Sequence, residues 1–291
     1  MKYLMFQFIV FCLASGCNSQ FKSNFSPPSS FNEYWYKGTA EISSYELNQV
    51  RYGHQRKGDA ILIYVTEPFS PTQYVKTENP TPQDISVLKL NFTKKFNTGI
   101  YPYSMMTSTF LPVRHPNHSI KVTSSSQEWC GHTYMELLNK NRFEVEIKSY
   151  FEGESNHLEI QKTWLEDDFW SMIRISPDLL PETGEHKIIP GFFYLRLKHT
   201  KTKAYTCIVS KSTQTDTTTL SLTYPDLDRN LSITFSTAFP HKILQWEETY
   251  PESGQLMSST GRVKKTLKIP YWEKNSPEDS HLRDSLQLSL F

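Results

Sequence analysis

The sequence has no excess of charge, no second long hydrophobic run and none of the common catalytic signatures. Its formal net charge is +1, with 31 basic and 30 acidic residues, which argues against an electrostatic nucleic-acid binder. A phosphate-binding glycine loop, a dinucleotide fingerprint and the patterns HExxH, GxSxG and CxxC are all missing. We therefore expect no nucleic-acid partner, no metal and no cofactor, and we expect a protein that binds rather than catalyses.

Cysteines are scarce, with four in the whole chain. Cys12 and Cys17 lie in an amino-terminal signal segment, which leaves only Cys130 and Cys207 for the body of the protein. These two residues either form a disulfide, as an oxidising compartment allows, or remain free thiols, since free cysteine is often a small core residue. The sequence leaves both possibilities open.

The amino-terminal residues have the pattern of a lipoprotein signal peptide. Lys2 gives a positive start, and the apolar run from Leu4 to Leu13 is shorter than the ~20 residues of a membrane-spanning helix. The segment Leu13-Ala14-Ser15-Gly16-Cys17 then resembles a lipobox, in which the cysteine accepts diacylglycerol. We predict that residues 1–16 are removed and that diacylglyceryl-Cys17 anchors the chain in a membrane. A plain secretory signal is the alternative.

The rest of the chain divides into a short tether and one domain. Asn18–Asn32 is rich in Ser, Asn and Pro and has few core-forming positions, which is typical of a disordered linker. We predict a signal peptide at 1–16, a lipidated cysteine with its tether at 17–32, and a single β-rich domain at 33–291.

Alternation of apolar and polar residues predicts β-strands throughout the domain. Four segments with this period of two are Leu88–Thr93, Phe143–Lys148, Leu220–Tyr224 and Leu231–Phe235. Such strands bury one face and expose the other, as in antiparallel sheets. Ala60–Val65 is apolar on both faces and is predicted to be central. The pattern favours a mainly β fold of antiparallel curved sheets, as a sandwich or an open barrel.

Two short helices are predicted to interrupt the strands. Thr163-Trp164-Leu165-Glu166 matches a capping box, and an apolar stripe of Leu165, Phe169, Met172 and Ile173 follows it. Near the end of the chain, Ser276 before Pro277 resembles a helix cap and first helical position.

The densest polar cluster is Glu128-Trp129-Cys130-Gly131-His132. Cys130 would serve as a thiolate nucleophile with His132 as its base, or His132 and Glu128 would supply two metal ligands, which is fewer than a metal site needs. The competing interpretation is a strand with a buried cysteine and a hydrogen-bonded histidine, and we favour it. Asp226–Arg229 and Trp246–Tyr250 are predicted to be ordinary solvated segments.

Aromatic residues make up 14 per cent of the chain. Six of them are candidates to line a groove for a lipid, glycan or peptide. They are Trp35, Tyr101, Tyr103, Trp129, Trp246 and Trp272. The other interpretation, which we favour, places them in the core and on the rim of a large sheet.

Several unusual segments resemble those of Bacteroidota-type envelope lipoproteins of unknown function, a group whose members often carry the label "septum formation inhibitor Maf". The segments are Tyr34–Gly38, Arg51–Gly53, Tyr64–Glu67, Phe96–Tyr103, Gln127–His132, Ser149–Glu154, Trp246–Glu248 and Tyr271–Trp272. The resemblance spans nearly the whole mature chain and implies an envelope location. The Maf label implies a nucleotide pyrophosphatase with a Ser-Pro-Arg-Arg signature, but this sequence has no Arg-Arg pair, so no catalytic residue carries over.

The leading hypothesis is a non-enzymatic outer-membrane lipoprotein that binds an amphiphilic ligand or a protein partner. Asn18-Ser19-Gln20-Phe21 contains no acidic residue after Cys17, so surface display is not signalled and a periplasm-facing domain is expected. The first alternative is a thiol- or metal-assisted hydrolase centred on Cys130 and His132. The second is a Maf-type pyrophosphatase.

Overall fold

The computed structural model describes residues 25–289, so the predicted signal peptide and Cys17 lie outside the described part of the chain. Sixteen strands form one sheet. Their bounds are β1 Ala40–Arg51, β2 His54–Ser70, β3 Val75–Lys76, β4 Ile85–Thr98, β5 Tyr101–Pro112, β6 Lys121–Glu128, β7 Gly131–Asn139, β8 Phe143–Ser149, β9 Asn156–Ile160, β10 Trp164–Leu165, β11 Gly184–Ile189, β12 Tyr205–Thr213, β13 Thr217–Tyr224, β14 Arg229–Ser236, β15 Ile243–Glu252 and β16 Gln255–Ile269. The predicted mainly antiparallel β fold is confirmed.

The strand order is simple, because most neighbours in the sheet are also neighbours in the chain. It runs β10-β11-β12-β13-β14-β15-β16-β1-β2-β4-β5-β6-β7-β8-β9, with β3 paired to β2 outside this path. Every pairing is antiparallel except that of β10 with β11. Ala60–Val65 lies within β2, near the middle of the order, as predicted.

The sheet curls on itself without closing. Its two outermost strands, β9 and β10, are separated along the chain only by residues 161–163. Four extended peptide units span at most roughly 13 Å, so the two ends of the sheet must lie close together. We call the gap between β9 and β10 the seam.

Within residues 25–289, four short helices accompany the sheet, which is more than the one or two that the sequence predicts. They are α1 Ser29–Trp35, α2 Glu166–Ile175, α3 Phe192–Leu197 and α4 His281–Ser285. Among the described residues, no helix combines the length and the apolar character needed to cross a bilayer. Helix α1 also corrects the domain boundary: the tether was predicted to extend to Asn32, but α1 begins at Ser29 and Phe31 is fully buried.

Helix α2 lies inside the curled sheet and is enclosed on nearly every side. All of its residues except Asp167 are buried, including residues outside the predicted apolar stripe such as Trp170 and Arg174. The predicted capping box is wrong, because the Thr163 hydroxyl donates to the carbonyl of Lys187 and the helix begins at Glu166. The second cap is confirmed: Ser276 and Asp279 form a reciprocal capping box before α4.

Two buried ion pairs hold the ends of α2. At its carboxyl end, Arg174 donates two hydrogen bonds to Glu41 of β1, at 2.7 and 2.8 Å. At its amino end, Glu166 accepts two from Arg229 of β14, at 2.6 and 2.7 Å, and Arg229 also pairs with Glu248. Glu166 at the amino end and Arg174 at the carboxyl end also interact favourably with the helix dipole, because each has the opposite charge to the helix end where it lies. These contacts tie the central helix to both halves of the sheet.

Candidate ligand-binding cleft

A cleft of about 530 Å³ opens beside the seam. One wall is the inner face of β7 and β8 together with β9, and the other is the end of α3 with the connection to β12. Its lining residues are Thr133, Met135, Ile147, Ser149, Gly153, Glu154, Asn156, Leu158, Leu195, Arg196, His199, Thr200, Lys201, Thr202 and Lys203. The volume lies in the range of small-molecule sites, which is roughly 300–1,000 Å³.

The cleft has an apolar side because residues of α3 pack in one cluster with residues from both sides of the seam. Leu195 of α3 belongs to one packed cluster with Met135 of β7, and Ile147 and Leu158 pack against that cluster. Leu165 of β10 belongs to the same cluster, so the packing crosses from one edge of the sheet to the other. Hydrophobic contact therefore replaces the missing ladder of hydrogen bonds, and its exposed margin forms the cleft wall.

The opposite side of the cleft is basic. Arg196 is nearly buried, and its Nε donates to Thr133 Oγ1 at 2.8 Å while its guanidinium lies 4.6 Å from the ring centre of Phe151. Burial lowers the pKa of Arg196. Nearby Glu154 raises it and Arg51 lowers it, and the net direction is downward. Lys201 and Lys203 are exposed at the mouth. The cleft thus combines apolar walls with three cationic side chains.

Arg51 provides a second buried guanidinium behind Arg196. It donates to the carbonyl of Leu197 at 2.6 Å and to the Tyr103 hydroxyl at 3.2 and 3.3 Å. Within residues 25–289, no carboxylate forms an ion pair with either Arg51 or Arg196. Two adjacent cations without a direct anionic partner favour an anionic ligand at this end of the domain.

Glu154 is the one carboxylate that lines the cleft. It forms a hydrogen bond with His199 and accepts another from Ser149 at 2.6 Å. Partial burial raises the pKa of Glu154, but Ser149 and His199 outweigh that effect, and the pKa is lowered. Since Ser149 donates to Glu154 and not to His199, this group lacks the hydroxyl–imidazole contact of a nucleophile and its base.

The predicted cluster at residues 128–132 forms the turn between β6 and β7, close to the cleft. Glu128 accepts a hydrogen bond from the backbone N–H of Cys130 at 2.6 Å, and the same carboxylate raises the pKa of the exposed Cys130 thiol. A raised pKa keeps the thiol protonated, which is the opposite of what a nucleophile requires. His132 is exposed and lines a shallow depression on the outer face of the sheet. The favoured strand interpretation is wrong in one respect, since Cys130 is exposed in a turn.

The six aromatic candidates do not share one groove. Trp35, Tyr103 and Trp246 are buried in the core. Trp129 is exposed and lies 6.3 Å from the partly exposed Tyr101, measured between ring centres. Trp272 is exposed near the opposite end of the sheet, just after β16. No member of the set lines the cleft.

Cys130 and Cys207 are both free thiols, the first exposed and the second buried. Of the two possibilities left open by the sequence, the structure has the unbonded one. Within the described range no group of three or more His, Cys, Asp or Glu side chains is arranged to hold a metal ion.

The polar interior was not predicted from the sequence. Glu248 was expected in a solvated segment and Arg229 in an ordinary turn, yet both are buried beside Glu166. With Lys94 they line a cavity of about 30 Å³, which has room for roughly one or two water molecules. That volume is too small for a substrate, so the cleft at the seam remains the better candidate site.

The cleft residues that sequence reasoning missed are in the segment 195–203. Its signal was an apolar run that turns basic at Arg196, Lys198 and His199, directly before a strand. Comparison of the chain with protein-family models, with curated proteins and with solved structures gives no significant match.

Proposed function

We propose that this chain is an outer-membrane lipoprotein, anchored through diacylglyceryl-Cys17, whose periplasmic domain binds a single-chain amphiphile with an anionic headgroup. The class of ligand is inferred from one observation, which is that apolar walls and Arg196 border the same cleft. A carboxylate or phosphate would accept hydrogen bonds from the free donors of Arg196, and a hydrocarbon chain would lie along Met135, Ile147 and Leu158.

The proposed location is supported by the amino-terminal sequence and by the resemblance to Bacteroidota-type envelope lipoproteins. The binding role is supported by the raised pKa of Cys130 and by the hydrogen bonding around Ser149, neither of which suits nucleophilic catalysis. Mass spectrometry of the amino-terminal peptide from isolated membranes tests the anchor. An acylated Cys17 supports it, and an intact, unmodified Met1 terminus contradicts it.

Binding of a fluorescent polyene fatty acid tests the ligand class. We expect saturable binding to the purified protein, and we expect Arg196→Met to weaken it by roughly 10- to 100-fold, because hydrogen bonds to charged groups contribute ~1.5–3 kcal/mol. The corresponding fatty alcohol should bind more weakly than the acid to the native protein and equally to Arg196→Met.

Arg142→Met is the matched control, because Arg142 lies in the β7–β8 turn at the far end of the same strands and is exposed. It should leave affinity unchanged. Equal affinity for acid and alcohol, or an Arg196→Met variant that binds like Arg142→Met, would show that Arg196 does not recognise the headgroup.

A further inference from the structure

One end of the sheet carries a row of exposed apolar side chains. Within the described residues, six hairpins turn at this end. Five that follow one another in the strand order are β15–β16, β1–β2, β4–β5, β6–β7 and β8–β9, and the sixth, β13–β14, has the exposed Asp226 and Asp228 in its turn. Each of the five has a large, exposed apolar or aromatic residue at or beside its turn. In sheet order these are Leu256, Tyr52, Ile100, Trp129 and Tyr150. We call them the tip row.

The tip row is continuous. The Tyr52 hydroxyl lies 2.9 Å from that of Tyr103, and the tilted rings of Tyr101 and Trp129 have their centres 6.3 Å apart. A β-carbon on Gly131 would meet the Tyr150 ring at 2.4 Å, so the Trp129 and Tyr150 turns are also in contact. With strands about 4.8 Å apart, successive hairpins are separated by roughly 10 Å, and the row extends over roughly 40 Å.

Four of the five turns contain a glycine at positive φ, namely Gly53, Gly99, Gly153 and Gly254, but the large residues beside these glycines are not ones that tight turns favour. Two-residue hairpin loops usually contain Asn, Asp or Gly. Tyr52 adopts a left-handed conformation with φ of 56°, which is unfavourable for a bulky side chain. Ile100 is 81 per cent exposed and Trp129 is 67 per cent exposed in the two turns that follow. Neither turn chemistry nor core packing explains these choices.

We propose that the tip row docks on the surface of a lipid bilayer, with its side chains inserted at the level of the headgroups. Tyrosine and tryptophan favour that interface, and isoleucine and leucine gain from leaving water. None of the five turns, at residues 52–53, 99–100, 129–130, 150–155 and 253–254, contains Lys or Arg. The occupant is therefore a zwitterionic surface that takes up apolar side chains, not a polyanion held by charge.

The two exposed tryptophans at opposite ends of the sheet give a direct test. Trp129 belongs to the tip row, whereas Trp272 follows β16 at the end where β1 begins. The full chain with Cys17→Ala, which cannot be acylated, is mixed with phosphatidylcholine vesicles that contain brominated acyl chains. Both variants keep the other four tryptophans, so the difference between them is the readout. Bromine should quench the fluorescence of Trp272→Phe, which keeps Trp129, and should quench that of Trp129→Phe much less.

A variant test distinguishes docking from loss of folding. Tyr52→Asn removes one ring with its contacts to Tyr103 and Arg51, and it places a favoured residue in the left-handed turn. These two effects oppose each other, so the midpoint of thermal unfolding should stay close to that of the parent. We expect Tyr52→Asn, Ile100→Ser and Trp129→Ser each to lower vesicle partitioning by about tenfold, and high salt to have little effect.

The leader sequence is the same in every variant, so differences in partitioning report the tip row. Equal partitioning of the parent and the triple variant, quenching in Trp129→Phe at least as strong as in Trp272→Phe, or binding abolished by salt would overturn the proposal. Its outcome is independent of fatty-acid binding, because no residue of the tip row lines the cleft.

Discussion

Two pairs of buried arginines differ in what neutralises them. Arg174, which lies in the central helix α2, and Arg229, which lies beside that helix, each form ion pairs with glutamate. Arg51 and Arg196, near the cleft, are almost as buried but donate to hydroxyl groups and a carbonyl. The first pair is internally neutralised, whereas the second keeps its positive charge. Burial alone therefore does not identify a functional arginine. A buried arginine that forms no ion pair with a carboxylate is the better candidate.

The difference has an energetic basis. A buried ion must recover the hydration that it loses, and an opposing charge is the strongest source of compensation inside a protein. Burial tends to raise the pKa of Glu41, but Arg174 and the hydrogen bond from Tyr34 lower it to about 2. Arg196 has no carboxylate within ion-pair distance: its guanidinium contacts His199, Glu154 acts on it only from further away, and its pKa is lowered. The ion pairs of the interior are consistent with a structural role. Arg51 and Arg196 are consistent with binding of a ligand that has an anionic group.

Arg174→Met tests the interior side of the comparison and should have the largest effect. The substitution leaves Glu41 buried without its cation, and breaking a buried pair in this way costs about 3–5 kcal/mol. The free energy of unfolding from urea titration should fall by that amount.

Two variants sharpen this result. The double variant Glu41→Gln, Arg174→Met should recover most of the stability, because no unpaired charge remains. Arg196→Met should cost less, about 1–2 kcal/mol, for the hydrogen bond to Thr133 and the contact with the ring of Phe151. Equal losses for Arg174→Met and Arg196→Met would mean that the two kinds of buried arginine are not physically different.

Local patterns were sufficient to predict the strands but not the polar interior. The period of two at Leu88–Thr93 and Leu231–Phe235 reports burial of one face, which is a local property, and both segments are strands. Arg229 and Glu248 stand among polar residues and look solvated. Their burial depends on Glu166, which is 63 residues from Arg229 along the chain. A charged residue can be assigned to a core only when its partner is known, and the partner is supplied by the sheet order.

The cleft was missed for a similar reason. Glu128, Cys130 and His132 were candidate site residues because they are close in sequence. The turn that they form lies beside the cleft and does not line it. The cleft joins β7–β9 to the segment 195–203 across the seam. The burial of α2 on nearly every side could not be predicted from the sequence either. Its apolar stripe indicates one buried face, and the other faces are buried only because the sheet curls around the helix.

A buried carboxylate can also lose its charge by binding a proton. This third case predicts a dependence of stability on pH, which should be smaller than the loss expected for Arg174→Met. Burial raises the pKa of Asp168 to about 7, and burial with nearby Lys162 lowers the pKa of His118 to about 4, while the two side chains lie 4.0 Å apart. Between about pH 4 and 7 the native state holds a proton on Asp168 that the unfolded chain lacks. Asp168 therefore makes stability fall as pH rises, and Asp168→Asn removes that fall.

His118 has the opposite sign, because between about pH 4 and 6.5 the unfolded chain binds a proton that the native state does not. Relative to the parent, Asp168→Asn should gain stability and His118→Gln should lose it as pH rises from 4 to 6.5. Each change should be no more than roughly 3 kcal/mol, at ~1.4 kcal/mol per pKa unit. Urea titrations at several pH values measure both slopes. If either variant changes in stability with pH just as the parent does, the pKa of the group that it replaces is not shifted by burial, and the contact does not hold its members neutral.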